Sequence, residues 1–189
     1  MNKRLEFLQE AVSQSLELKK SFFEQKAADL ISFHELLRNT AHRNRQVLLF
    51  GNGGSAADAQ HFAAELMHRV ETKDLGIRAL ALHTDTSVLT ALGNDEGFDQ
   101  VFARQIQVLA SAEDVAIGIS TSGNSTNIVE GLRKAKEKKC FTVGLLGRNG
   151  GKAAEHCDLA FIVPHQSTPR IQEVHGMILH LVCQLLEQD

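Results

Sequence analysis

Five short, unbroken apolar runs restrict the fold of this chain more than any other feature; they occupy residues 46–50, 78–82, 114–120, 141–147 and 159–163. A strand with one wet face alternates apolar and polar residues. These runs do not alternate, so each reads as a strand covered on both faces. Helical stretches separate them, at 55–70, 87–92, 100–109, 127–137, 151–154 and 170–186. Strand and helix in regular alternation predict a parallel sheet between two helical layers, a three-layer α/β/α sandwich. Of the 189 residues, 43% are hydrophobic, enough for one substantial core. The chain therefore reads as one domain over 1–189, an α/β core at 46–189 behind an N-terminal helical extension at 1–45. That extension holds neither Gly nor Pro. Its apolar spacing predicts one long helix, or two with a break near Lys19–Ser21, whose stripe is buried on its own domain or on a second copy.

Charge and composition exclude several functions. Lys and Arg number 20 against 23 Asp and Glu, a net charge of −3, so there is no basic excess to neutralise a nucleic acid backbone. The apolar runs fall far short of the ~20 residues a membrane helix needs, and the first ten residues are charged throughout, so neither a membrane span nor a secretory signal is expected. The three cysteines, Cys140, Cys157 and Cys183, lack CxxC spacing and suit a reducing cytoplasm. They carry no assigned chemistry.

In open parallel sheets, ligands bind beyond the carboxyl ends of the strands. After the first run comes Gly51-Asn52-Gly53-Gly54-Ser55-Ala56, a turn that brings backbone N–H groups to an anion at a helix start. It matches the dinucleotide pattern formally. The acidic residue that would hold a ribose is missing at the usual distance, since Asp85 lies too far along, and no nucleotide is expected. The loop after the third run is Ser120-Thr121-Ser122-Gly123-Asn124-Ser125-Thr126, five hydroxyls in seven residues directly before a helix. One serine would suffice as a cap. Five, with no P-loop lysine, fit a phosphomonoester held without magnesium.

These loops, together with His61-x3-Glu65, Gly93-Asn94-Asp95 and Arg170-Ile171-Gln172-Glu173, resemble the sugar isomerase (SIS) domain over essentially the whole chain. More narrowly they are similar to the phosphoheptose isomerase family. The resemblance implies a flavodoxin-like five-stranded sheet and a homotetramer with its active sites at subunit interfaces. It also implies conversion of sedoheptulose 7-phosphate to D-glycero-D-manno-heptose 7-phosphate, the first step toward the ADP-heptose of the lipopolysaccharide core. Substrate contacts implied are Asn52, Gly53, Gly54, Ser55, Glu65, Arg69, Asn94, Asp95, Ser120, Thr121, Ser122, Ser125 and Gln172. His61, Glu65, Gln172 and His180 match a zinc set, one ion per subunit, and Glu65 with His180 match the catalytic pair. The chain departs from the family at Val70, where an aromatic is common, and at Thr168-Pro169, where some members carry Asp or Ala before Arg170. A non-catalytic relative that binds a replication initiator shares the fold but is expected to lack Glu65 and His180.

Ketose-to-aldose isomerisation through an enediol needs one base for the carbon-bound proton and a second group for the oxygens. Glu65 is the candidate carbon base, with burial expected to raise its pKa toward the operating pH, and His180 is the candidate for the oxygens. His61 and Glu65, four apart, share a helix face. Gln172 and His180, eight apart, lie about two turns from each other on the last helix and can approach the same pocket. His175 and Glu173 are the reserves.

Overall fold

The structure is a computed structural model that describes residues 2–68 and 76–188. Helix α1 (Lys3–His42) is followed by β1 (Gln46–Gly51), α2 (Gly54–His68), β2 (Arg78–Ala81), α3 (Thr86–Asp95), α4 (Val101–Leu109) and β3 (Val115–Ser120). Then come α5 (Thr126–Glu137), β4 (Phe141–Gly147), β5 (Leu159–Val163) and α6 (Thr168–Leu186). All five strands are parallel, in the order β2-β1-β3-β4-β5. This is the flavodoxin-like order, whose chain path reverses between β1 and β3. Gly51 stands beside Ile119 at that switch, so the two glycine-containing loops emerge next to each other.

Each face of the sheet carries its own core. Val47, Leu49, Ile117, Val143 and Phe161 pack under α1, α2 and α6, with Phe33, Phe62 and Ile178 fully buried. On the other face Leu48, Phe50, Ala116 and Leu146 meet Phe102, Ile106, Ile128 and Leu132 from α4 and α5. Gly118 and Gly131 keep the second layer close, because a side chain at either would strike Leu132 or Phe50.

Of the two readings of the extension the single helix holds, and two other expectations need correction. The extension is one 40-residue helix without a break at Lys19–Ser21. Lysine and serine lower helix propensity too little to end a helix whose neighbours are good formers. The stretch at 151–154 is a 3-10 turn, Lys152–His156. Helix α3 runs on to Asp95, so Asn94 and Asp95 lie in a helical turn. Arg69 and Val70 lie outside the described residues.

Candidate active site

The loop after β1 turns at Gly53, whose φ of 56° is costly for any side chain, and α2 starts at once. Ser55 is buried at this start, its N–H donating to the Asn52 carbonyl at 3.0 Å. Gly51 must be glycine, since a Cβ there would overlap the Ser55 carbonyl. The Asn52 amide exchanges two hydrogen bonds with the buried Asn127 amide, at 2.8 and 3.0 Å. The first loop is thereby tied to the first turn of α5. Sequence reasoning missed Asn127, because a mutual amide pair 75 residues apart leaves no local pattern.

Three hydroxyls converge in the second loop. Ser120 Oγ lies 3.4 Å from both Ser122 Oγ and Ser125 Oγ, and it accepts the Gly123 N–H at 3.1 Å. Asn124 fixes the outer wall, accepting from the Lys152 N–H at 3.1 Å. Ser125 is the N-cap of α5, yet its side chain makes no capping bond. The first N–H groups of α5 therefore remain without a side-chain acceptor beside three hydroxyls, the arrangement that receives an anion.

Helices α2 and α6 lie side by side and carry the titratable groups. His61 Nε2 and His180 Nε2 are 3.0 Å apart, with the rings edge to face. His61 Nε2 is 3.9 Å from Glu65 Oε1, and the Glu65 side chain is only 15% exposed. Two turns earlier on α6, Gln172 lies against the start of α2, where its amide fills the space a Gly54 side chain would need. His180 is exposed, whereas His175 is fully buried and its Nε2 pairs with the Leu146 carbonyl at 3.1 Å. The core histidine of α6 is thus His175. Its burial pushes its pKa down to about 4, so at neutral pH it is uncharged. Glu173, the other reserve, accepts from Ser15 Oγ at 2.6 Å and pairs with Arg170. Neither reserve faces the histidine pair by any hydrogen bond among the described residues.

One further carboxylate was missed. Asp58, a turn before His61, has a buried Oδ2 without a hydrogen-bond partner, and burial raises its pKa against the opposing attraction of His61. Asn94 and Asp95 bond to each other at 2.7 Å on α3, which buries no side chain, and no hydrogen bond joins them to the two loops among the described residues. Burial pushes the Cys140 thiol up to about 11 and that of Cys157 up to about 12, so neither is a nucleophile.

Imidazole nitrogen and carboxylate oxygen are donor types that zinc takes. Two imidazole nitrogens each 2.0–2.1 Å from a tetrahedral zinc lie about 3.3 Å apart, close to the 3.0 Å between His61 and His180. Among the described residues no group of three or more His, Cys, Asp and Glu forms a ready-made metal cluster. No described helix is long and apolar enough to cross a membrane.

Residues 11–147 match the family model described as the SIS domain. A phosphoheptose isomerase of Geobacter sulfurreducens is 54% identical over 162 residues, 86% of each chain. One from Aquifex aeolicus is 47% identical over 184 residues, covering 97% of this chain and 96% of its own. The solved phosphoheptose isomerase of Neisseria gonorrhoeae is 40% identical and superposes with a TM-score of 0.91, covering 98% of this chain and 99% of that one.

Proposed function

This chain belongs to the SIS-domain family and stands among its phosphoheptose isomerases, and we propose that the serine loop, Glu65 and His180 build the site for that reaction. The reaction interconverts sedoheptulose 7-phosphate and D-glycero-D-manno-heptose 7-phosphate, and the product feeds ADP-heptose for the lipopolysaccharide core. The observation that carries the site is the uncapped start of α5, where three serine hydroxyls gather at 3.4 Å spacing beside the Gly51–Gly54 turn. Hydroxyls, backbone N–H groups and the helix dipole together hold a phosphate without a cation from the chain.

With the phosphate anchored there, the opposite end of the sugar is held toward α2 and α6. Glu65 takes the proton from C1 and returns it to C2, while His180 moves a proton from O1 to O2, so that ketose becomes aldose through an enediol with no net change in protons. Asn52, Gly53, Gly54, Ser55, Thr121 and Gln172 line the sugar, and Arg69, which lies outside the described residues, is a further contact that the family pattern implies. His61, Glu65, Gln172 and His180 would hold a zinc ion, one per subunit. When bound it supplies Lewis acidity toward the sugar oxygens. Asn94 and Asp95, exposed on α3, serve a site completed by another copy in a homotetramer. The apolar residues left exposed on α1 support that assembly. The compartment is the cytoplasm. A non-catalytic binding module is not favoured, because both Glu65 and His180 are present.

A phosphorus NMR time course with sedoheptulose 7-phosphate tests the reading. Wild type is expected to form the aldoheptose phosphate. Glu65→Gln is expected to lose at least about 100-fold in turnover, the scale of one general base. Near-normal turnover by Glu65→Gln with its assembly intact would remove Glu65 from the carbon step.

A further inference from the structure

The N-terminal half of α1 faces its own domain with its polar residues. Ser15 is 9% exposed while its neighbour Leu16 is 64% exposed and Val12 58%. Ser15 Oγ donates to Glu173 Oε2 at 2.6 Å, and Lys19 Nζ stands 3.9 Å from the same oxygen. Glu173 Oε1 pairs at 2.5 Å with Arg170, whose guanidinium also donates to the Ala11 carbonyl. Ala11, Ser15 and Lys19 follow one another at four-residue steps, so they form one row of α1, met by Arg170 and Glu173 one turn apart on α6.

The start of α6 has little else to hold it on that side. Its N-cap, Ser167, makes no side-chain capping bond, and the first turn contains no acidic residue. Ile171 anchors the opposite side, buried where a Cβ on Gly147 would strike it. Gln172 lies between these two anchors, with its amide in the space that a side chain on Gly54 would take. A small rotation of α6 about Ile171 would carry that amide off the loop.

We infer that Glu173, clamped by Ser15 and Arg170, is a positioning residue that sets the orientation of Gln172 at the Gly54 turn. The inference rests on the isomerase reading and assigns α1 a part in catalysis beyond packing. A misplacement of about 1 Å in a positioning group can cost up to about 100-fold in rate.

Steady-state kinetics with sedoheptulose 7-phosphate on the full chain tests it, using Ser15→Ala, Ser15→Thr, Glu173→Ala, Gln172→Ala and the double variants with Gln172→Ala. Ser15→Ala and Glu173→Ala are expected to lower kcat about tenfold with KM changed less than about twofold, and Ser15→Thr, which keeps the hydroxyl, to restore most of it. In the Gln172→Ala background the same changes are expected to have no further effect, since both act through one side chain. Full kcat in Ser15→Ala and Glu173→Ala would overturn the inference. So would equal losses in both backgrounds, or a Gln172→Ala enzyme as fast as wild type. If Glu173→Ala does not fold, the Ser15→Ala cycle, which removes a single hydroxyl, decides alone. A folded wild type without turnover would overturn the isomerase reading and this inference with it; an active wild type with an additive cycle overturns only the inference.

Discussion

Two glycines near the site are constrained in opposite ways. At Gly54 a methyl group would meet only the end of the Gln172 side chain, which is free to swing aside. Gly54 also opens α2, where alanine is a better helix former. Gly54→Ala should therefore keep its stability within about 1 kcal/mol of wild type while losing about tenfold or more in kcat. At Gly123 the methyl would meet the Gly150 carbonyl, part of the backbone, and φ is 66°. Gly123→Ala should lose more than about 1 kcal/mol, because both the conformation and the contact oppose a side chain. Urea denaturation beside turnover separates the two, and a Gly54→Ala enzyme with full kcat would show that the Gln172 amide has no work at this turn. The glycines and serines were legible as motifs, because turns and anion loops are local chemistry. The partners that make them exacting, Gln172 against Gly54 and Asn127 against Asn52, were not, since each joins elements distant in the chain.

Among the elements, α6 shows how far periodicity reaches. Its apolar spacing gave its limits to within two residues, and the five strands were legible because unbroken apolar runs have few other uses. Which of its histidines lies inside was not legible, because His175 and His180 both sit beside apolar residues and only the packing of α6 on β4 separates them. The assignment has a measurable consequence. His175 is held near a pKa of about 4, below the ordinary 6.5, so between these values the unfolded chain binds the proton that the folded chain refuses. Its contribution to stability is present in full above pH 6.5 and is lost as pH falls toward 4, at most about 3 kcal/mol by linkage. Urea midpoints at pH 7, 5.5 and 4.5 should fall more steeply in wild type than in His175→Gln, and parallel curves would show that this ring does not charge on unfolding. The continuous α1 is the complementary lesson. A helix without Gly or Pro ends only where tertiary contacts or caps end it, and here the caps stand at the two ends, Asn2 before the helix and Asn44, with φ 53°, after it.

On the scale of the whole molecule, the decisive feature is what α1 leaves uncovered. A helix of 40 residues is about 60 Å long, longer than the sheet it packs on. From Phe22 onward it buries Phe22, Leu30, Phe33 and Leu37 in its own core, while Leu5, Leu8, Val12 and Leu16 recur at three- and four-residue steps on the N-terminal half and remain exposed. The own-domain face of that half is already taken by the Ser15–Glu173 contact, so the apolar row is turned toward a different surface. An apolar row of this length is stable in water when a second copy covers it. Sedimentation velocity should give wild type a mass near four times 20.8 kDa. Leu8→Glu with Val12→Glu, which places charge within the row without touching Ser15, should give smaller species that keep their far-ultraviolet circular dichroism. If the site is completed between copies, those species should also lose turnover at low protein concentration and regain part of it as concentration rises, because mass action restores the missing surface. An unchanged mass in that variant would assign the row to some other contact, and full turnover in a dissociated form would show that one chain holds the whole site.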